Sequence, residues 1–194
     1  MTKLRVGIDV DGVLADFNTS YKKLIEKLTP LRLPDISDYY PNTWYYERAA
    51  GISKDDENRV WDAIKSNHSF WHKLQPNLET FDFLQGLDDL SADIYFITSR
   101  VGDSAKYQTE QWLRHNGFIA YPTVLISKEK GLCCKSLKLT HYIDDKNENC
   151  TAVSEQSPDT KVFMLACPWN SEQVGIPRIR SVHEFLKQVN ADEC

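Results

Sequence analysis

The sequence predicts an α/β fold: a doubly wound parallel sheet of about five strands, with a small helical cap inserted after the first strand. Three observations carry that prediction. Five short segments rich in β-branched and aromatic residues (4–9, 93–98, 123–127, 141–144 and 161–165) are near-continuously apolar, as strands buried on both faces should be. Helical patterns fill most of the intervals between them, which is the alternation of a parallel sheet covered by helices. One interval, 17–76, contains no convincing strand and reads as an insertion.

Taken in order, the first strand leads into a helix with Phe17, Tyr21, Leu24, Ile25 and Leu28 at helical spacing. The proline-containing stretch TPLRLPDISDYYPNTWYY follows and breaks it. The insertion is dense in aromatics: Tyr39, Tyr40, Trp44, Tyr45, Tyr46, Trp61, Phe70 and Trp71. A small subdomain needs such side chains simply to build a core. Beyond it come helical patterns over 78–90, 104–116 with Gly117 as a stop, and 129–137, each adjoining a strand. A last helix is announced by Ser181 and Glu184, spaced as a capping box ahead of Phe185, Leu186 and Val189. The expected organisation is a core of 1–16 and 77–194 with the cap at 17–76.

The chain has 194 residues and a net charge of −5, which argues against capture of a nucleic-acid polymer; a small anionic substrate would need a local positive site. No apolar run approaches the roughly 18–20 residues of a membrane span, and the first residues lack a signal peptide, so no membrane partner and a cytoplasmic location are expected. Five cysteines, two of them adjacent (Cys133 and Cys134) and none in a Cys-x-x-Cys pair, read as reduced thiols. Cys150, Cys167 and Cys194 are scattered.

Ligands of doubly wound sheets collect at the carboxyl ends of the strands. Those positions here are Asp9-Val10-Asp11-Gly12, Thr98-Ser99-Arg100, the approach to Lys128 and Lys130, and Asp144-Asp145. Asp-x-Asp-Gly alone is a common turn, and an acidic pair alone is a common loop cap. Four carboxylates converging on one edge repel one another unless a cation intervenes, and hard oxygen ligands suit magnesium. Magnesium uses one or two carboxylates and leaves an aspartate free to attack phosphorus, while the second Asp of the first motif could act as general acid and then base. Gly12 permits the tight backbone path this needs.

These residues resemble the haloacid dehalogenase-like superfamily over 4–149: Asp-x-Asp-Gly after the first strand, Thr or Ser after the second, a Lys further on and an acidic pair last, on a Rossmann-like core. The resemblance implies Asp9 as nucleophile and magnesium ligand, and Asp11 as acid/base and ligand through its carbonyl. It further implies Thr98 with Ser99 as phosphate-binding residues, Asp145 as a metal ligand, and Asp144 assisting it directly or through water. The spacing to the acidic pair favours Lys130 over Lys128 as the phosphate-binding lysine. More narrowly, Asp9-Val10-Asp11-Gly12-Val13-Leu14-Ala15-Asp16-Phe17, Ser69-Phe70-Trp71-His72-Lys73-Leu74-Gln75-Pro76 and Pro168-Trp169-Asn170 resemble the cytosolic and mitochondrial pyrimidine 5'(3')-deoxyribonucleotidase family. That resemblance implies a magnesium-dependent phosphomonoesterase acting on nucleoside monophosphates, with Phe70, Trp71 and Trp44 or Tyr45 stacking on the base and Arg100 facing the substrate. Arg100 departs from the small or apolar residue of the animal members. A sugar phosphate as substrate, a non-catalytic phosphate-binding module and a homodimer all remain open at this point.

Overall fold

The computed structural model describes residues 3–34, 43–172 and 174–191; Tyr39, Tyr40, the proline-rich stretch over 35–42 and Cys194 lie outside the described residues. Six parallel strands form one sheet: β1 (Arg5–Ile8), β2 (Asp93–Thr98), β3 (Thr123–Ile126), β4 (His141–Asp144), β5 (Lys161–Leu165) and β6 (Arg178–Ile179). Their order is β3-β2-β1-β4-β5-β6, so the chain runs outward from β1 to one edge and then crosses to build the other half. The expected count of about five is corrected by β6. It is two residues long, too short for any periodic signal, and is recruited by bonds from Met164 N to Pro177 O (2.9 Å) and Ala166 N to Ile179 O (2.8 Å).

Helices α1 (Phe17–Leu28), α2 (Tyr46–Ala49) and α3 (Lys54–Ser66) follow β1, then a 3-10 turn at Trp71–Lys73. The remaining helices are α4 (Thr80–Asp89), α5 (Ala105–His115), α6 (Lys130–Leu137), α7 (Asn147–Gln156) and α8 (Val182–Ala191). Each strand distributes alternate side chains between two cores. Ile8, Phe96 and Ile143 join Phe83, Trp112 and Phe185 on one face, while Ile97, Tyr142 and Met164 join Cys134, Cys150 and Val153 on the other. Gly7 serves the second face by close approach, because a Cβ there would lie 2.4 Å from Leu139 Cδ1.

The segment after β1 is helical for local reasons. Asp16 caps α1 by accepting from Thr19 N (3.1 Å), and Phe17, Tyr21 and Ile25 bury one face of it. Ser53 caps α3 by accepting from Asp56 N (3.1 Å), with Asp55, Asp56 and Glu57 in the first turn, where carboxylates favour the helix dipole. The two ends of the segment are pinned side by side: Asp16 N donates to Gln75 O and Asn77 N to Leu14 O, each at 2.8 Å. Among the described residues no helix is long and apolar enough to cross a membrane.

Candidate active site

The topology brings the ends of β1, β2 and β4 together at the centre of the sheet, where its two halves diverge. Asp9 leaves β1 with its N–H still donating to Ile143 O (3.0 Å), which keeps it in register with β4. The chain then turns sharply, Leu14 N and Ala15 N both donating to Val10 O at 2.9 Å. Gly12 sits at φ +88°, and a Cβ on it would lie 2.1 Å from Asp145 Oδ2. Both the backbone angle and the packing therefore demand glycine there.

Asp9 is only 6% exposed, and its Oδ1 pairs with Lys130 Nζ at 2.6 Å. Lys130, 2% exposed at the start of α6, donates from the same nitrogen to Asp144 Oδ2 at 2.7 Å. Lys128 is exposed and stands outside this cluster. Both oxygens of Asp144 are taken: Oδ2 also accepts from Tyr142 OH (2.5 Å), Oδ1 from Lys146 N (2.8 Å), and Asn149 Nδ2 lies 3.1 Å from each. Asp145 differs. Its Oδ2 accepts from Trp169 Nε1 (3.1 Å) and its carbonyl from Asn170 Nδ2 (2.8 Å), but its buried Oδ1 has no hydrogen-bond partner among the described residues.

Carboxylate oxygens of Asp9, Asp144 and Asp145 lie within 4.8 Å of one another. Burial pushes the Asp9 carboxyl up to about 7, Asp144 and Asp11 adding to that and Lys130 opposing it. Burial, then the negative charges of Asp144 and Asp9, hold Asp145 well above the usual carboxylate range. Burial works against the charge of Lys130 too, but Asp144 and Asp9 outweigh it and its pKa is raised. One ammonium thus faces three buried carboxylates, one of which has an unused oxygen. That donor set fits a divalent cation of the oxygen-preferring kind.

Asp11, two residues beyond Asp9, points elsewhere. Arg100 donates from Nη2 to its Oδ1 (2.8 Å) and from Nε to both oxygens (3.2 and 3.0 Å). Thr98 Oγ1 lies 3.5 Å from Asp11 Oδ2. Arg100, expected to face a substrate, has a side chain 0% exposed and already paired. Ser99 lies on the rim, its Oγ donating to Ser127 O (3.1 Å) and so tying the end of β2 to the end of β3.

These groups form the floor of a cavity of about 130 Å³ whose roof is aromatic: Phe17, Trp44, Trp61 and Trp71. Phe70 is not part of the lining; it packs edge-on against Trp71, ring centroids 5.0 Å apart. Sequence reasoning missed Phe17 and Trp61, which lie on helical faces where periodicity marks them only as core, and Lys146, which lines the cavity and donates to Tyr45 OH (3.0 Å). It noted Trp169-Asn170 as a motif but not that the pair grips Asp145. Adjacency to the acidic pair was the available signal for Lys146.

Comparison with known proteins supports this arrangement at the level of family. The model of the cytosolic type C, pyrimidine-specific deoxy 5' nucleotidase family matches residues 3–191. No curated protein is similar enough to count as a match. Among solved structures, a HAD family hydrolase from Deinococcus radiodurans, determined with bound phosphate and sodium, superposes with a TM-score of 0.63 at 13% identity, covering 98% of this chain and 96% of its own. A magnesium-bound HAD hydrolase from Bacillus subtilis gives 0.60 at 15% identity, with 97% and 99% covered. A HAD-superfamily hydrolase from Ehrlichia chaffeensis gives 0.59 at 12%, with 98% of each chain covered. At such identities these likenesses establish the fold, and the family match spanning almost the whole chain establishes the lineage. The chain belongs to the cytosolic type C deoxy (pyrimidine) 5'-nucleotidase family, has the fold of the HAD hydrolases, and is a phosphoric monoester hydrolase.

Proposed function

We propose that the protein is a magnesium-dependent 5'-nucleotidase that hydrolyses (deoxy)ribonucleoside monophosphates through an aspartyl-phosphate on Asp9. The observation that carries this reading is Asp9 itself: a buried carboxylate at a strand end, salt-bridged to Lys130 and facing a cavity that ends in aromatic rings. Asp9 attacks phosphorus in line, while Lys130 and Thr98, with Ser99 at the rim, offset charge on the phosphoryl oxygens. Asp11 gives a proton to the departing alkoxide and then takes one from the water that hydrolyses the aspartyl-phosphate. Asp9, Asp145 and the Asp11 carbonyl would hold magnesium, with Asp144 as the anchor that orients Lys130 and the neighbouring loop. The ion would supply positive charge against the phosphoryl group and keep Asp9 ionised at neutral pH.

Residues 17–76 act as a cap over a core of 1–16 and 77–194. The cavity, about 130 Å³, is smaller than the roughly 300 Å³ that small-molecule sites usually offer, so a nucleoside enters with the cap displaced. The stretch 67–75 is bound to the core, since Gln108 Nε2 donates to Asn67 O (3.0 Å), Trp71 Nε1 to Val101 O (2.9 Å) and Trp112 Nε1 to Leu74 O (2.8 Å). The part that moves is accordingly the one that carries α1 and α3, and Trp44 rather than Phe70 meets the base, a stacking contact worth roughly 1–3 kcal/mol. A location in the cytoplasm belongs to the same reading.

The test is phosphate release from nucleoside monophosphates, sugar phosphates and an aryl phosphate, with and without magnesium. Magnesium-dependent preference for 5'-nucleotides is expected. Preference for a sugar phosphate would leave the phosphatase assignment intact and overturn the nucleotide one.

A further inference from the structure

We infer that Arg100 is a positioning residue for Asp11: its guanidinium forks across both carboxylate oxygens and so fixes the plane of the carboxyl group, with Oδ2 turned toward the reacting phosphoryl group. The inference rests on the reading of Asp11 as the acid/base. Arg100 follows Thr98 and Ser99 at the end of β2, and its side chain is entirely buried. Nη2 donates to Asp11 Oδ1 at 2.8 Å and Nε to Oδ2 at 3.0 Å and Oδ1 at 3.2 Å, a fork that grips both oxygens, and Thr98 Oγ1 lies 3.5 Å from Oδ2. Oδ2 is thus the oxygen on the side of the phosphate-binding threonine.

The guanidinium is itself held from three sides. Nη1 donates to Thr109 Oγ1 (3.0 Å) on α5, and the guanidinium carbon lies 5.0 Å from the Trp71 ring centroid and 5.8 Å from that of Trp112. Trp71 is fixed in turn by its indole bond to Val101 O (2.9 Å) and by Gln108 Oε1, which accepts from its backbone N–H (2.9 Å). Each of its nitrogens is engaged and the side chain is 0% exposed, so the guanidinium is committed to Asp11 and Thr109. A planar fork on a carboxylate fixes direction in a way that a lysine cannot reproduce.

An Asp9 oxygen bonds to phosphorus as the ester P–O bond breaks, its electron pair remaining on the departing oxygen, which receives the proton from Asp11 Oδ2. In the second step Oδ2 takes a proton from water as the water oxygen bonds to phosphorus and the Asp9 O–P bond breaks. In both states Oδ1 remains an acceptor for Nη2.

A positioned acid matters most when the leaving group is a poor one. The experiment measures kcat and KM for a 5'-nucleoside monophosphate, whose leaving group is an alkoxide, and for nitrophenyl phosphate, whose leaving group is a stabilised phenolate. Asp11→Asn should lose on the order of 10² to 10⁴ in kcat/KM on the nucleotide and far less on the aryl ester, because kcat/KM reports the step up to departure of the leaving group, whereas the water step common to both substrates slows kcat on each. Arg100→Met should show the same skew in kcat/KM, at least about tenfold on the nucleotide, and Arg100→Lys should recover only part of it. Equal losses in kcat/KM on both substrates, or none on either, would overturn the positioning role. Absence of the skew in Asp11→Asn would instead overturn the acid/base reading, and the inference with it. Should Arg100→Met fail to fold, Thr109→Val removes the Nη1 acceptor alone: the same skew supports the inference and none refutes it.

Discussion

Replacing Lys130 with Met removes the only ammonium group among three buried carboxylates while roughly keeping its volume. Lys130 is 2% exposed and pairs at 2.6 Å with Asp9 and at 2.7 Å with Asp144, so solvent does little to screen the loss. Removing one partner of a buried ion pair costs about 3–5 kcal/mol. In a domain of 150–250 residues each kcal/mol moves Tm by roughly 2–4 °C, so the variant should melt roughly 6–20 °C lower. The loss also has a predicted pH dependence. Asp9 already sits near 7 with Lys130 beside it, and without that charge it and Asp145 rise further. A carboxyl raised on folding makes the native state bind protons that the unfolded state releases, so its stability is retained at low pH and lost as pH rises through the folded pKa. Circular-dichroism melts in chelator should show a smaller Tm deficit near pH 5, where the lost partner of Asp144 still counts, than near pH 8. A deficit that is absent, or equal at both values, would refute the assignment of Lys130 as the counter-charge of this cluster. Turnover should fall by at least about 10² as well, since a donor to the phosphoryl oxygens goes with it.

Gly12→Ala places a Cβ 2.1 Å from Asp145 Oδ2 at φ +88°, and should cost at least about 1–2 kcal/mol in melts together with a marked drop in kcat; wild-type turnover would contradict the packing. Glu47, 3% exposed with Oε2 unpartnered, is raised above its ordinary 4.5 by burial and by Glu57, so it weakens the native state increasingly as pH rises above that value. Glu47→Gln should therefore raise Tm at pH 8, by roughly 2–4 °C for about 1 kcal/mol, and raise it less at pH 4. Trp71→Ala should destabilise by about 3–5 kcal/mol because the ring is 2% exposed, whereas Trp44→Ala should leave Tm nearly unchanged and raise KM for nucleotides by roughly 5- to 100-fold, both checked by melts beside steady-state kinetics.

The sheet could be read from sequence because its central strands are buried on both faces, and near-continuous apolar runs such as Val6–Ile8 and Phe96–Ile97 have few other uses. The chemical residues were legible for a related reason: each follows such a run, and a parallel sheet brings all those ends to one edge. What escaped was whatever depends on contacts between distant segments. Helix α7 buries only Cys150 and Val153 and so lacks a visible stripe. Arg100 looks like a free cation beside a phosphate site until the fold sets Asp11 against it. Trp71, expected to stack on a base, lines the cavity, but its anchoring by Gln108 and Val101 is invisible in the sequence. Phe17, read as the first core residue of a helix, stacks on Tyr21 with centroids 5.0 Å apart and also lines the cavity, and periodicity cannot distinguish those two roles.

The most direct test is chemical trapping of the phosphoenzyme. Enzyme quenched during turnover of a 5'-nucleoside monophosphate is reduced with borohydride, which converts an acyl phosphate to a primary alcohol, and is then mapped by peptide mass spectrometry. With Asp9 as nucleophile, the reduced side chain should appear at position 9 only, and Asp9→Asn should show neither the modification nor phosphate release. Reduction at another carboxylate, or steady phosphate release with no residue modified, would contradict covalent catalysis by Asp9.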